Sequence, residues 1–186
     1  AYLLGARQVN PNAQLTVVFT GAWNDPVKER AAAEALIEQG IDVIGQHVDT
    51  PTPQIVAEEK GVYGTGHHRD FSEFSSATQC SSAWVWEQYL VPEINKIVSG
   101  GWEPNPWGAF LSIKDGGTDA VGFGSAVSDD LKAKVMAERA AIIAGKHIFA
   151  GPILDSDGKE RVVAGAVLGD GDIWAMDWFV SGVTSQ

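Results

Sequence analysis

The sequence predicts an α/β protein with a parallel sheet, and three observations lead to this fold class. Apolar runs of strand length alternate with helical segments in the order β-α-β-α-β over residues 15–65. The predicted strands are nearly continuous in apolar residues, which is typical of sheets covered on both faces. The helices between them begin and end at residues that are typical of helix caps. Strands joined by helices in this order imply right-handed crossovers and a parallel sheet.

The first strands and the first helix are the most clearly marked elements. Residues 15–19 form the first predicted strand. Asp25 and Pro26 then fit an N-cap followed by proline at the first helical position. Gly40 is expected to end this helix, and residues 41–45 form the second predicted strand.

Further elements of the same kinds are expected along the rest of the chain. They are a helix over 52–60, strands over 62–65 and 79–83, a helix over 86–98 kinked at Pro92, a strand over 107–113, a helix over 129–144 capped by Ser128, a hairpin around 154–159 and a short helix over 172–179. Glycine- and proline-rich crossings between them predict two lobes. Residues 2–7 resemble the end of a helix without its cap, so we expect the chain to be part of a longer protein.

Composition excludes several classes of function. The formal net charge of −11 makes nucleic acid an unsuitable partner. No run reaches the roughly 18 apolar residues of a membrane helix, and these residues contain no signal peptide. The single cysteine, Cys80, rules out an internal disulfide and a multi-cysteine metal site. We interpret Cys80 as a structural residue of a short strand.

Aromatic, histidine and acidic residues follow three of the predicted strands. They lie in segments 20–26 (TGAWNDP), 46–51 (QHVDTP) and 66–70 (GHHRD), and Lys114 ends a fourth predicted strand. In an open α/β sheet, ligands bind outside the carboxyl ends of the strands. The sequence therefore predicts a small-molecule site along this edge.

Each candidate residue also has an ordinary structural interpretation. Trp23 lies in a loop rather than inside an element, so we favour stacking on a flat ligand over core packing. His47 and Asp49 fit either a hydrogen bond to the ligand's edge or a contact that orders their loop. Asp25 is interpreted as the helix N-cap, and Asp70 as the cap of the turn that follows it.

Seven segments spread along the chain resemble the basic membrane protein family of ABC-transporter substrate-binding lipoproteins, which are receptors of the purine-nucleoside type. The matching segments are 4–11 (LGARQVNP), 20–26 (TGAWNDP), 35–40 (ALIEQG), 46–51 (QHVDTP), 58–63 (EEKGVY), 140–145 (AAIIAG) and 176–183 (MDWFVSGV). The resemblance runs through essentially the whole chain in order. It implies that the amino-terminal part of the family's length is absent.

The resemblance implies a type I periplasmic-binding-protein fold, in which two doubly wound lobes enclose the ligand and three crossing segments form the hinge. Residues 1–84 would then belong to the second lobe and residues 85–120 to the first lobe. Residues 121–186 would return to the second lobe and the hinge.

The family's binding residues are carried over position by position. In relatives a purine base is stacked between aromatic side chains, and the position of the second-lobe aromatic falls on Trp23. The ribose-contacting lysine falls on Lys114. Where relatives tend to have the sequence GYDSD, residues 66–70 read GHHRD, which places His68 at the position of the ribose-contacting acid. His67 and His68 alternate in direction if the strand continues, so only His68 is expected to face the ligand. Without that acid, we expect the ligand to be a free base such as adenine at least as readily as a nucleoside.

By resemblance the protein is the solute-binding component of an ABC importer rather than an enzyme, with no cofactor and no metal. Its expected partners are a purine or similar heterocycle and an ABC permease, and no nucleic acid. The ligand-binding residues would be Trp23, His68, Lys114, His47 and Asp49. The expected location is periplasmic or membrane-anchored and extracytoplasmic.

Two other classes of protein share some of these features. The ligand-sensing domain of a transcription regulator has the same fold class. A metal-dependent hydrolase would use a cluster of imidazoles and carboxylates, drawn here from residues 47, 49, 67, 68 and 70. The sequence has no HExxH motif, no nucleophile elbow and no phosphate-binding loop, so the receptor is the favoured interpretation.

Overall fold

Two units make up the computed structural model, which describes all residues from 1 to 186. The first unit consists of Ala1–Phe19 and Gly145–Gln186, and the second of Thr20–Ala144. No helix combines the length and apolar character needed to cross a membrane. The division into lobes at residues 84 and 120 stays a prediction, because it refers to the architecture of a longer protein.

Helices and strands follow one another in the order expected of an α/β chain. The helices are α1 (Tyr2–Val9), α2 (Pro26–Glu38), α3 (Thr52–Lys60), α4 (Glu87–Ser99), α5 (Asp129–Ile143) and α6 (Asp170–Trp174). The strands are β1 (Leu15–Val17), β2 (Val43–Gly45), β3 (Tyr63–His68), β4 (Thr78–Trp84), β5 (Thr118–Val121), β6 (Ile153–Leu154), β7 (Glu160–Val162) and β8 (Val183–Ser185).

The second unit contains a four-stranded sheet in the order β2-β3-β4-β5. Strands β2, β3 and β4 run parallel, as predicted, and β5 closes the sheet antiparallel to β4. The expectation that the first strand joins the same sheet is wrong. Strand β1 instead pairs in parallel with β8, with Leu15 opposite Val183, and these two strands form a separate sheet in the first unit.

The predicted helix ends are confirmed by their capping contacts. Asp25 accepts a hydrogen bond from the backbone N–H of Lys28 at 3.1 Å, and Ser128 accepts one from Leu131 at 3.2 Å. Such side-chain caps satisfy N–H groups that have no partner within the helix. Gly61 ends α3 with a φ of 71°, a left-handed conformation that glycine adopts without a steric penalty.

A buried amide joins α3 to three strands of the sheet. Gln54 donates to the carbonyl oxygens of Ile44 and Thr65, at 3.2 and 3.1 Å, and accepts from the hydroxyl of Thr78 at 3.0 Å. A side chain at Gly64 would overlap this amide, so glycine is required there for α3 to approach the sheet. These contacts hold β2, β3 and β4 together beneath their carboxyl ends.

Three expected elements differ from the structure. The strand over 107–113 is wrong, because these residues form turns and irregular chain. Asn105 accepts from the Trp107 N–H and donates to the Gly108 carbonyl, and such local side-chain bonds compete with strand pairing. The hairpin expected around 154–159 is present, but its strands β6 and β7 reach beyond that range, to Ile153 and Val162. The last helix is shorter than expected and spans only Asp170–Trp174.

Candidate functional site

Five aromatic side chains converge at the carboxyl ends of the parallel strands. His47 follows β2, His67 and His68 end β3, Trp84 ends β4, and Trp23 lies in the loop before α2. We call these five residues the aromatic cluster. The expectation that the strand-end segments meet at one edge of the sheet therefore agrees with this arrangement for segments 20–26, 46–51 and 66–70.

Neighbouring rings of the aromatic cluster lie within contact distance of one another. The ring centroids of Trp23 and His47 are 5.5 Å apart, and those of His47 and His67 are 4.3 Å apart with an interplanar angle of 35°. Trp84 meets His67 edge-on, with centroids 5.5 Å apart. Trp23 remains 63% exposed, so its indole is accessible to another flat ring.

The strand register explains why three of these positions meet. Gly45 pairs with Thr65, and His67 pairs with Ser82. Because side chains on one face of a sheet recur every second residue, His47 lies beside His67, and Trp84 lies one step beyond Ser82. Trp84 is not among the site residues predicted from the sequence, and its position two residues beyond Ser82 in β4 is the signal that points to it.

His68 has an unusual backbone conformation for a residue with a side chain. Its φ is 63°, in the left-handed region that non-glycine residues seldom occupy. The regular alternation of β3 is therefore broken at its last residue, and both His67 and His68 contact Trp84, with centroids 5.5 and 5.9 Å apart. The expectation that only one of the two imidazoles faces the site is wrong. Backbone strain of this kind is concentrated at functional sites.

Asp49 supplies the negative charge beside the aromatic cluster. Its carboxylate oxygen Oδ1 lies 3.7 Å from Nε2 of His68, within ion-pair range but beyond hydrogen-bonding distance. The Asp49 side chain is 56% exposed and that of His68 only 18%. The carboxylate is thus accessible to a donor on a ligand.

Several polar atoms of the site are buried and have no hydrogen-bond partner in the protein. They include Nε2 of His67, Nε2 of His68 and Oε1 of Gln46. Nδ1 of His67 lies 3.0 Å from the hydroxyl oxygen of Ser82. Burial, followed by the charges of His47 and His68, lowers the pKa of His67 to about 4. Since buried polar atoms are nearly always paired, this group of unpaired atoms indicates a binding site.

A buried carboxylate connects the two loops that carry Trp23 and Asp49. Glu29, only 1% exposed, accepts hydrogen bonds from the hydroxyl of Thr50 and from the backbone N–H of Asp25, the latter at 2.9 Å. The N–H of Asp49 donates to the carbonyl of Trp23 at 2.8 Å. Glu29 is not among the site residues predicted from the sequence, although its position four residues after the N-cap Asp25 is visible there.

Four of the five predicted site residues lie together, and the fifth does not. Trp23, His47 and His68 belong to the aromatic cluster, and Asp49 is next to it. Lys114 lies exposed in a turn before β5, where no ring contact, hydrogen bond or ion pair joins its ammonium group to the cluster. Its role in binding stays a prediction.

The other acidic residues and the cysteine near the sheet have structural contacts. Asp70 accepts from the N–H and the hydroxyl of Ser72, at 2.8 and 2.7 Å, as expected of a turn cap. Cys80 lies half-buried in β4, and burial raises the pKa of its thiol. No group of three or more His, Cys, Asp or Glu side chains has an arrangement that would hold a metal ion.

A concave region lies in the first unit and has a different character from the aromatic cluster. It encloses about 260 Å³. Its lining residues are Arg161, Leu168, Asp172, Ala175, Met176, Asp177 and Trp178. The guanidinium of Arg161 lies over the Trp178 ring and donates to buried Asp155 at 2.6 Å. Because the guanidinium of this region is already paired with Asp155, the aromatic cluster is the stronger candidate for ligand binding.

A parallel sheet with aromatic rings and unpaired polar atoms at its carboxyl edge defines the class of α/β ligand-binding proteins. Within this class, residues 1–154 match the family model of ABC transporter substrate-binding proteins of the PnrA-like type. The chain belongs to this family. The resemblance drawn from the seven sequence segments is therefore confirmed.

Two relatives illustrate the range of the family. A purine-binding protein of Brucella abortus is 33% identical over 189 residues, covering 100% of this chain and 53% of its own. A putative ABC transporter glucose-binding protein of Haloferax volcanii is 32% identical, covering 86% of this chain and 41% of its own. The chain thus spans about half the length of these curated relatives.

Solved structures confirm the expected α/β periplasmic-binding fold. An ABC transporter solute-binding protein from Conexibacter woesei superposes with a TM-score of 0.56 at 21% identity, over 76% of this chain and 48% of that one. A solute-binding protein from Aeropyrum pernix gives a TM-score of 0.57 at 16% identity, over 86% of this chain and 53% of that one. A transcriptional activator of the comK gene from Bacillus halodurans superposes with a TM-score of 0.58 at 19% identity, over 67% of this chain and 44% of that one. At these identities the likeness concerns the fold alone.

Proposed function

We propose that this protein is the substrate-binding component of an ABC importer and that its ligand is a purine base or nucleoside. It acts outside the cytoplasm, binds without chemistry and delivers the ligand to a permease. Family membership supports the receptor over a regulator and over an enzyme. The name of the Brucella relative, a purine-binding protein, supports the class of ligand.

The observation that carries the proposal is the aromatic cluster at the carboxyl edge of the sheet. The exposed indole of Trp23 offers a large flat surface at small entropic cost, which suits a heteroaromatic ring. Imidazole nitrogens and the Asp49 carboxylate supply the hydrogen-bonding groups that a purine edge needs. In this proposal Trp23 stacks on the base, while His47, His68 and Asp49 contact its edge.

Lys114 is proposed to contribute from the far side of the ligand. Its ammonium group is a donor only, so its partner on the ligand is an acceptor such as a sugar oxygen or a ring nitrogen. This role rests on the family resemblance. The glucose-binding relative makes a sugar the alternative ligand to be tested.

The test is isothermal titration of adenine, adenosine and glucose into the full-length protein. Adenine or adenosine is expected to bind, and Trp23→Ala to weaken binding by about 1–3 kcal/mol, the size of a stacking contact. Trp107→Ala is the matched control, since this tryptophan is 91% exposed and lies in a turn before β5. Equal purine affinity of Trp23→Ala and wild type, or binding of glucose alone, would show that the purine assignment is wrong.

A further inference from the structure

His67 holds a nitrogen atom whose hydrogen-bonding capacity the protein does not use. Its Nδ1 lies 3.0 Å from the Ser82 hydroxyl on the neighbouring strand, whereas its Nε2 is buried and has no partner. Leaving a buried polar atom unpaired costs free energy, so native proteins rarely do it. An unpaired nitrogen among aromatic rings indicates a partner that arrives with the ligand.

The His67 ring is uncharged at neutral pH. Burial, and then the two neighbouring histidines, lower the pKa of His67 to about 4. A neutral imidazole carries one proton, so one of its nitrogens donates and the other accepts. When the Ser82 hydroxyl donates to Nδ1, the proton lies on Nε2, and this nitrogen becomes the donor.

Two of the rings packed against His67 belong to exposed side chains. His47, whose ring centroid is 4.3 Å from that of His67, is an exposed residue. Trp84, which meets His67 edge-on, is 45% exposed. Rotamer changes of exposed side chains are fast and commonly accompany binding. A rotation of the His47 side chain would remove its ring from contact with His67.

We propose that His67 is a specificity-determining residue, whose Nε2–H donates a hydrogen bond to an unprotonated ring nitrogen of the bound heterocycle. Ser82 is the positioning residue that orients the imidazole and sets its tautomer. The proposal rests on the proposed function, because it assigns a partner on the same ligand. It requires a ligand with an in-plane acceptor nitrogen, which every purine base has.

Deaza analogues provide the test, because each replaces one ring nitrogen by C–H and keeps the shape of the base. Adenine, 1-deazaadenine, 3-deazaadenine and 7-deazaadenine are titrated into the full-length wild type and His67→Phe. The wild type is expected to lose about tenfold in affinity for one analogue, the size of one lost hydrogen bond. His67→Phe keeps an aromatic ring but is expected to bind adenine about tenfold more weakly and no longer to distinguish that analogue.

A second variant and a spectroscopic measurement keep the test independent of folding defects in His67→Phe. Ser82→Ala is expected to retain the protein fold and to reduce the preference for adenine over the sensitive analogue. In ¹⁵N spectra of the wild type, Nε2 of His67 is expected to be protonated and to shift when adenine is added.

Two results would overturn the inference in different ways. If adenine binds but His67→Phe discriminates among the analogues as the wild type does, the role of His67 is wrong and purine binding stands. If none of the four compounds binds the wild type, the proposed function fails and this inference fails with it.

Discussion

At the scale of single residues, the site depends on one strained position at the end of β3. A left-handed residue other than glycine costs about 1–2 kcal/mol. At His68 this conformation brings the two imidazoles into one cluster, each in contact with Trp84. Regular strand geometry would have turned them to opposite faces.

His68 also stands where, by the family resemblance, relatives carry a ribose-contacting acid. His68→Asp should therefore raise the affinity for adenosine relative to adenine, because a carboxylate accepts hydrogen bonds from sugar hydroxyls. Aspartate tolerates the left-handed backbone, so little added strain is expected. The ratio of the two dissociation constants, measured by titration calorimetry, tests this. His68→Asn is the matched control, because asparagine has the shape of aspartate without its charge. An unchanged ratio in His68→Asp would contradict the assignment.

At the scale of elements, helix α2 and the β2–α3 loop are held together by Glu29. Its carboxylate accepts from Thr50 in one segment and from Asp25 in the other. Together with the bond between the Asp49 N–H and the Trp23 carbonyl, this contact sets the spacing of Trp23 and His47. The positions of these loops thus depend on a buried residue outside the aromatic cluster.

Glu29→Ala is expected to lower the free energy of unfolding by about 1–3 kcal/mol, because it leaves the Asp25 N–H and the Thr50 hydroxyl without their partner. Ligand affinity should fall with it. Glu29→Gln retains an acceptor oxygen and should recover most of both losses. Urea denaturation and adenine titration measure the two effects, with exposed Glu38 on the same helix as the control Glu38→Ala. Equal effects of the two alanine substitutions would disprove the role of Glu29.

Helices were predicted more accurately than strand pairings, and the reason is physical. Helix ends depend on local contacts, such as the Asp25 and Ser128 caps, that short sequence patterns encode. The pairing of β1 with β8 joins residues at opposite ends of the chain, so no local pattern reveals it. The expected strand at 107–113 failed because the Asn105 side chain satisfies the local backbone groups instead.

The candidate site was predictable to the extent that it follows from sheet topology. His47 and His68 meet because the parallel strands β2 and β3 end at one edge, which the alternation of strands and helices already implied. Trp23 follows β1, which belongs to the other sheet, and its loop is joined to this edge by the hydrogen bond from the Asp49 N–H to its carbonyl. Regular strand alternation predicts that His67 faces away from the site, but the left-handed backbone of His68 breaks this alternation. Lys114 lies in a turn rather than at the end of a strand, because residues 107–113 do not form the expected strand.

At the scale of the whole molecule, acidic groups and a neutral histidine determine how the free energy of unfolding depends on pH. Hydrogen bonds from Arg139 lower the pKa of Asp119, and those from Arg161 lower the pKa of Asp155. The stabilisation by these carboxylates is present above their unfolded pKa values, near 4, and is lost as the pH falls through the lower folded values. Their effect is therefore confined to strongly acidic conditions.

His67 acts in a higher pH range. Its folded pKa of about 4 is below the value near 6.5 of an unfolded histidine, so between these values the unfolded chain binds more protons. The free energy of unfolding should thus decrease as the pH falls from about 6.5 to about 4, and His67→Gln should reduce this slope. Urea denaturation at several pH values measures it. Asp119→Asn is the control, because its effect is expected only below that range. The same slope in wild type and His67→Gln would mean that His67 is not the neutral, half-buried group described here.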